Sequence, residues 1–347
     1  MSHDLDENRL CDWLEQNLPG FERPILLTKF ANGQSNPTFK VQSESGSYVL
    51  RRKPLGTLLP SAHAIDREYR LLSALWPLGF PVPQPYCYCS DVNIIGSDFY
   101  VMGMAVGQNY SNGSLPDLTP DARRQTYLSM VDTLASLHQI DAAAAGLANY
   151  GKPGNYFERQ IGRWAQQYRI SQTDHIEDME RLIEWLPTTA PPQSRSSIVH
   201  GDFRIDNLIF GQNNKVNSVL DWELSTLGDP LADFTYFALQ WVLPQDGAAA
   251  LGGLQLGSLG IPTLDEILDR YCTATQRHEP PDLNWYFAYN LFRAAGIVQG
   301  IKKRVAEGTA SNARADEMAS RVPAYAKSAW AFAERATRHA APLGGAR

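Results

Sequence analysis

The sequence predicts an α+β protein of two lobes, a small β-rich N-terminal lobe with one inserted helix and a larger, mostly helical C-terminal lobe. Short runs with β character lie in the first hundred of its 347 residues, whereas helical periodicity dominates after residue 108. Two further β-like runs, near residues 200 and 220, each end in a group of charged residues. The length is typical of about two domains. We place the lobes at residues 1–104 and 105–340, followed by a tail at 341–347.

The N-terminal lobe begins with a helix. Apolar residues recur on one helical face from Leu5 to Leu18, and Pro19-Gly20 ends the pattern. β-like runs follow at Leu26–Phe30, Thr38–Gln42, Tyr48–Arg51 and Asp98–Met104, with a helix at Ala64–Leu75 between the last two. The first two runs are joined by residues 31–37, which are rich in turn formers, so we expect a small sheet.

The C-terminal lobe is predicted to be helical from Thr119 onward, where a capping residue precedes Pro120 at the first helical position. Further helices are predicted at Ile161–Ile170, Ile176–Leu186, Leu231–Leu243, Leu264–His278, Leu283–Glu307 and Ala310–His339. Two short strands are predicted at Ser197–His200 and Asn217–Leu220. The stretch Gln245–Gly260 holds five glycines, which favours a mobile loop or lid.

Composition excludes several classes of protein. With 31 basic and 37 acidic residues the net charge is −6, so we expect no nucleic-acid partner. No run reaches 18 apolar residues and the N-terminus has no signal-peptide pattern, so we expect a soluble, cytoplasmic protein without a membrane partner. Four cysteines are too few for a disulfide framework, and we interpret them as packed thiols.

The most informative segment runs from His200 to Phe210, between a strand that enters it and a strand that leaves it. Asp202 and Asn207 offer oxygen ligands on this loop, and a second strand ends fourteen residues later in Asp221. Two carboxylates and an amide at strand ends suit Mg²⁺, which takes few protein ligands together with substrate phosphates. The alternative is an acidic cation loop or a cluster of helix caps.

This order resembles the kinase catalytic set, with His-Gly-Asp in place of His-Arg-Asp and Asp-Trp-Glu in place of Asp-Phe-Gly. Both replacements are those of the aminoglycoside phosphotransferase and choline kinase families. The resemblance implies a protein-kinase-like fold, in which Asp202 orients an attacking hydroxyl. It also implies that Asn207 and Asp221 hold Mg²⁺ on ATP, and that Arg204 faces the γ-phosphate.

The same resemblance implies a phosphate-covering loop at Phe30–Phe39, with contacts from Gly33, Ser35 and Asn36. Its single glycine is a weak signal by itself. Tyr48-Val49-Leu50-Arg51 parallels the kinase Val-Ala-Ile-Lys, with arginine keeping the charge of the nucleotide-binding lysine.

Glu68 on the following helix is the expected ion-pair partner of Arg51; the alternative is a solvated surface glutamate beside Arg67 and Arg70. Strand Phe99–Met104 would be the hinge, where backbone groups around Met102 and Met104 bind adenine. Apolar residues there are equally typical of any buried strand.

Four segments, Gly33–Thr38, Tyr48–Pro54, Tyr150–Trp164 and Leu291–Gly308, resemble a branch of the family found at the N-terminus of certain multidomain acyl-CoA dehydrogenases. That branch implies a hydroxylated acyl group as acceptor, as its CoA thioester. Arg293 and Arg304 share a helical face that could meet a carboxylate or CoA phosphates; ordinary surface charges are the alternative.

The sequence therefore predicts a Mg²⁺-dependent kinase that transfers the γ-phosphoryl group of ATP to a hydroxyl of a small molecule. Hydroxyacyl-CoA or a hydroxy acid is the expected acceptor. The alternatives are an aminoglycoside phosphotransferase and a non-catalytic nucleotide-binding module of the pseudokinase kind. The acceptor's identity, the choice between ATP and GTP and the oligomeric state stay open.

Overall fold

A computed structural model describes residues 5–30, 36–55, 64–152, 155–193, 195–243, 249–278, 281–309 and 315–340. The helices are α1 (Glu7–Asn17), α2 (Ile65–Leu75), α3 (Val92–Ile95), α4 (Pro120–Gln139), α5 (Tyr156–Ser171), α6 (Glu177–Thr189), α7 (Pro230–Val242), α8 (Leu256–Leu259), α9 (Leu264–Ala274), α10 (Asn284–Ala306), α11 (Ala315–Ala319) and α12 (Val322–Ala340). The strands are β1 (Ile25–Lys29), β2 (Thr38–Ser43), β3 (Gly46–Arg52), β4 (Pro85–Cys89), β5 (Phe99–Gly103), β6 (Ser197–Val199), β7 (Leu208–Phe210), β8 (Val216–Val219) and β9 (Thr226–Gly228).

The chain forms two compact units. The first comprises residues 1–150, 204–225 and 255–262, and the second comprises residues 151–203, 226–254 and 263–347. The lobe boundary at residue 104 stays a prediction. None of the described helices combines the length and the apolar character that crossing a membrane requires.

The first unit is built on a five-stranded antiparallel sheet in the order β1-β2-β3-β5-β4. Alternate side chains of a strand point to opposite faces. Leu50 and Val101 therefore belong to the apolar cluster that also holds Leu10 and Leu14 of α1. Their neighbour Arg51 points to the other face, and pairs in register with Tyr100. Helix α1 thus packs on one face of the sheet, whereas the Arg51 side chain lies on the opposite face.

Strands β7 and β8 form a hairpin in the first unit, and Gln108 joins it through a pair of backbone hydrogen bonds to Phe210, each 2.8 Å long. Gly107 permits this close approach. Its φ of +149° is rare for residues with side chains, and an added Cβ would lie 2.2 Å from the Phe210 carbonyl oxygen. The glycine is required by the backbone geometry at this point.

Gly107→Ala is expected to destabilise the protein by roughly 2–4 kcal/mol, because a backbone carbonyl cannot move aside as a flexible side chain can. Gly162→Ala is the matched control, since Gly162 is in helix α5 and its added Cβ meets nothing within 4 Å. Urea unfolding curves of both variants measure the difference. Equal stability of the two variants would contradict this account of Gly107.

The second unit is organised around α10, which packs against α5, α7 and α12. Aromatic rings fill part of this core: the centroid of Phe157 on α5 lies 4.8 Å from that of Trp285 and 5.2 Å from that of Tyr289. A separate two-stranded sheet, β6 with β9, precedes the loop that contains Asp202. Strand β6 also packs against α7, so the small sheet and this helix together hold the entry to that loop.

The predicted helices and strands are confirmed with shifts of a few residues at their ends, with three differences. The predicted helix Ala310–His339 is wrong as a single element: α11 ends at Ala319, and α12 begins next to Pro323, which has no N–H to continue a preceding helix. Strands β4 and β9 and the short α3 were not predicted. Residues 256–259, placed in a loop, form α8, while 245–248 and the tail lie outside the described residues.

Candidate active site

The first unit contains a cavity of about 400 Å³ on the sheet face opposite α1. Six residues that the sequence selected contribute to its wall: Arg51, Glu68, Met102, Met104, Asn207 and Asp221. Val49, Leu72 and Leu220 give part of the wall an apolar character. An apolar surface beside charged groups suits a ligand with an apolar ring and a charged tail.

Arg51 is the centre of an ion-pair network in this cavity. Its Nε lies 3.0 Å from Glu68 Oε2, at an angle that makes the contact an ion pair rather than a well-aligned hydrogen bond. Its Nη2 donates to Asp221 Oδ1 at 3.0 Å and lies 3.6 Å from Glu223 Oε2. The predicted Arg51–Glu68 pair is confirmed. The surface alternative for Glu68 is wrong, since its side chain is only 5% exposed.

Burial raises the pKa of the Glu68 carboxyl, and the nearby Arg51 guanidinium acts in the opposite direction. For Arg51, burial alone would lower the pKa, but the charges of Glu68, Tyr100, Asp221 and Glu223 outweigh it and hold the pKa above its ordinary value. The arginine therefore stays charged. It is the group that keeps carboxylates together in this cavity.

Asn207 and Asp221 are placed by the β7–β8 hairpin. Asn207 ends a 3₁₀ turn just before β7, and its carbonyl accepts a 2.8 Å hydrogen bond from the Leu220 amide. Asp221 follows directly and adopts a left-handed backbone, with φ of +62°. Non-glycine residues in this region are uncommon and concentrate at functional sites. The Asp221 side chain is 38% exposed, so its carboxylate is accessible from the cavity.

In the second unit, helix α7 holds the loop His200-Gly201-Asp202. The buried Asp233 carboxylate accepts hydrogen bonds from the His200 amide (2.6 Å) and the Gly201 amide (2.8 Å). His200 is fully buried, and its Nδ1 accepts from the Asp202 amide at 3.1 Å. His200 therefore braces this loop from a buried position. Asp233 braces the loop, and Asp229 caps α7 by accepting from the Leu231 amide.

Asp202 has a polar partner that sequence reasoning missed. Tyr236 Oη donates to Asp202 Oδ1 at 2.6 Å. Arg293, expected at the acceptor, is buried instead, and its guanidinium donates to the Gly201 carbonyl. Whether Arg293 also meets substrate stays a prediction. The only advance signal for Tyr236 is its place three residues after Asp233, on the same face of α7.

The remaining predicted residues differ in burial and in their partners. Arg204 is half exposed and pairs with Asp206 at 3.1 Å. Asn36 is buried, whereas Gly33 and Ser35 lie outside the described residues. Arg304 is exposed on α10 and makes no side-chain ion pair with any residue that the structure describes. Glu223, the third partner of Arg51, was not selected from the sequence.

The model of the phosphotransferase enzyme family matches residues 27–267. The chain belongs to this family. It is 42% identical in sequence to a Ralstonia eutropha JMP134 protein that is named as an aminoglycoside phosphotransferase by similarity. The crystal structure of that protein matches this one with a TM-score of 0.87, over 95% of this chain and 98% of that chain.

Acyl-CoA dehydrogenase family member 10 of Mus musculus is 44% identical over 93% of this chain and 31% of its own length. The chain spans less than half the length of the acyl-CoA dehydrogenase relatives that it matches. A spectinomycin phosphotransferase complex with ADP and spectinomycin shares the fold, with a TM-score of 0.63 at 11% identity over 95% of this chain and 99% of that one. The family resemblance and the two-lobed kinase-like fold are therefore confirmed.

Proposed function

We propose that the protein is a Mg²⁺-dependent kinase that transfers the γ-phosphoryl group of ATP to a hydroxyl of a small metabolite. The observation that carries this proposal is the cavity where Arg51, held by Glu68, lies beside Asp221 and Asn207. Family membership supports phosphoryl transfer as the reaction class. The ADP complex of the spectinomycin enzyme supports a nucleotide as donor.

The donor set of the cavity fits Mg²⁺. One carboxylate from Asp221 and one amide oxygen from Asn207 match an ion that keeps most of its ligands from water and phosphates. When bound, the ion would neutralise charge on the phosphates. Arg51 would bind phosphate oxygens through its planar guanidinium, while the apolar wall near Met102 and Met104 would take the adenine ring.

In the proposed reaction, the acceptor oxygen bonds to the γ-phosphorus as the bond from that phosphorus to the bridging oxygen breaks, and ADP leaves with the electron pair. Asp202 accepts the hydroxyl proton. The hydrogen bonds from the His200 and Gly201 amides to Asp233 hold the backbone of the loop that carries Asp202. Catalysis then depends on positioning and on charge neutralisation by Arg51 and the metal.

We propose a hydroxyacyl-CoA or a hydroxy acid as acceptor. The support is the similarity to acyl-CoA dehydrogenase family members, which the chain covers in part. The helical face of Arg293 and Arg304 gives less support than the sequence suggested, because Arg293 is buried and donates to the Gly201 carbonyl. Two further basic residues of α10 are also engaged within the protein: Lys302 pairs with Asp174, and Lys303 donates to the Ile170 carbonyl.

The reaction is tested by ADP release from purified protein with ATP and three acceptor sets: hydroxyacyl-CoA thioesters, free hydroxy acids and aminoglycosides. We expect turnover with one of the first two sets. Turnover with aminoglycosides alone would replace the proposed acceptor by the antibiotic class. Saturable ATP binding without ADP release from any set would favour the non-catalytic module.

Asp221→Asn is expected to weaken ATP binding at least about 10-fold in the presence of Mg²⁺, because a charged metal ligand is lost. Calorimetric titrations with and without Mg²⁺ measure this change, and binding without the metal should be weakened much less. Asp117→Asn, an exposed aspartate of the same unit, is the matched control for charge. An unchanged Mg²⁺ dependence in Asp221→Asn would remove Asp221 from the metal site.

A further inference from the structure

Helix α7 presents two polar side chains, one turn apart, to the loop that carries Asp202. The Asp233 carboxylate holds the backbone amides of His200 and Gly201, and the Tyr236 hydroxyl holds the Asp202 side chain. We propose that Tyr236 is a positioning residue that sets the orientation of the Asp202 carboxylate for phosphoryl transfer. This inference rests on the proposed function, because Asp202 is the group expected to receive the acceptor proton.

The geometry of the contact supports this role. The separation of 2.6 Å between Tyr236 Oη and Asp202 Oδ1 is that of a short hydrogen bond from a hydroxyl to a carboxylate. An aspartate side chain can turn about two torsion angles, and the backbone contacts of Asp233 fix neither of them. The phenol therefore restrains the part of Asp202 that the loop leaves adjustable.

Tyr236 is itself restrained. The guanidinium carbon of Arg293 lies 4.9 Å from the centre of the Tyr236 ring, and the same guanidinium donates to the Gly201 carbonyl. Arg293 is buried, and its guanidinium also lies 5.5 Å from the ring centre of Trp164. Tyr236 thus has a cation over its ring and a carboxylate at its hydroxyl, which gives it one preferred position.

A phenol suits this position better than a charged donor. It donates a hydrogen bond without adding a positive charge beside the carboxylate that must accept a proton. One cation, Arg293, already lies within electrostatic range of Asp202 and donates to the Gly201 carbonyl, so the phenol adds no second charge. The arrangement resembles the general pattern in which a catalytic base is oriented by a third group.

The first test is the kinetics of Tyr236→Phe, which removes only the hydroxyl. We expect kcat to fall about 10-fold, while the KM values for ATP and acceptor stay within about twofold of wild type. Tyr325→Phe on α12 makes the same chemical change where no described residue bonds the hydroxyl, and it should match wild type. Wild-type turnover in Tyr236→Phe, or a change confined to KM, would overturn the proposal.

A double-mutant cycle separates positioning from general structural support. If Tyr236 acts through Asp202, adding Tyr236→Phe to Asp202→Asn should change the residual turnover less than about twofold. A structural role would give the same further loss in both backgrounds. An equal loss in the two backgrounds therefore contradicts the inference.

A measurement without substrate distinguishes failure of this inference from failure of the proposed function. With tyrosine labelled at Cζ, the Tyr236 resonance is assigned by its absence from the spectrum of Tyr236→Phe. It should move in Asp202→Ala, which removes the acceptor of the Tyr236 hydrogen bond, and stay in place in Asp269→Asn, an exposed control on α9. An unmoved resonance overturns the positioning contact, whereas absence of phosphoryl transfer by the wild-type protein overturns the proposed function.

Discussion

Replacing Asp202 by asparagine is expected to lower turnover at least about 100-fold and to leave ATP affinity within about twofold of wild type. A positioned general base typically contributes a factor of 10² to 10⁴. Asparagine keeps the size and the oxygen that accepts from Tyr236, but it cannot take up the acceptor proton. Nucleotide binding should persist because the cavity residues Arg51, Asn207 and Asp221 are unchanged.

Steady-state ADP release and calorimetric ATP titration of Asp202→Asn measure the two quantities separately. Asp269→Asn serves as the control, since it removes one exposed carboxylate from the same unit and should leave both unchanged. Turnover of Asp202→Asn within a few-fold of wild type would remove Asp202 from the mechanism. A parallel loss of ATP affinity would instead indicate a disturbed fold.

Local sequence patterns predicted much of the fold, because apolar residues recur in most helices and strands with a period that a short stretch of sequence reveals. Helix α1 has its apolar residues on one face and ends close to Pro19-Gly20, and the observed helix runs from Glu7 to Asn17. Strand β4 lacks such a pattern, since it begins at Pro85 and two of its five residues are cysteines, Cys87 and Cys89. Proline is tolerated at the first residue of an edge strand, and β4 is at the edge of the sheet.

The candidate site could be predicted for those residues whose order and spacing in the sequence match a known kinase pattern. Arg51 and Glu68 were linked through the kinase-like order of strand and helix, and the pair forms. Tyr236 could not be found in that way. It lies 34 residues after Asp202 and belongs to an apolar helix, so only the packing of α7 against the loop brings its hydroxyl to the carboxylate.

The burial of Arg293 could not be predicted for a related reason. The spacing between Arg293 and Arg304 shows that the two residues share a helical face. It does not show how deeply each part of that face is buried. Arg293 is 6% exposed and serves the Gly201 carbonyl, whereas Arg304 three turns later is exposed. Burial along one face of a 23-residue helix depends on the neighbouring helices, which a local pattern does not contain.

Arg51→Met is expected to destabilise the protein by about 3–5 kcal/mol at neutral pH, because it leaves the buried Glu68 carboxylate without its compensating cation. Burial already raises the pKa of Glu68, and removing Arg51 raises it further. A carboxyl group whose pKa is raised in the folded state makes its full contribution to stability below its unfolded-state pKa, about 4.3. That contribution is lost as the pH rises through the folded-state pKa. The variant's deficit should therefore grow with pH.

Urea unfolding of wild type and Arg51→Met at pH 5 and pH 8 measures this trend. The deficit at pH 8 should exceed that at pH 5 by at least about 1.4 kcal/mol, the equivalent of one pKa unit. Adding Glu68→Gln to Arg51→Met removes the unpaired charge, so the double variant should recover stability at pH 8 even where the single variant fails to fold. A deficit independent of pH, or no recovery in the double variant, would show that Arg51 stabilises the cavity through packing rather than through its charge.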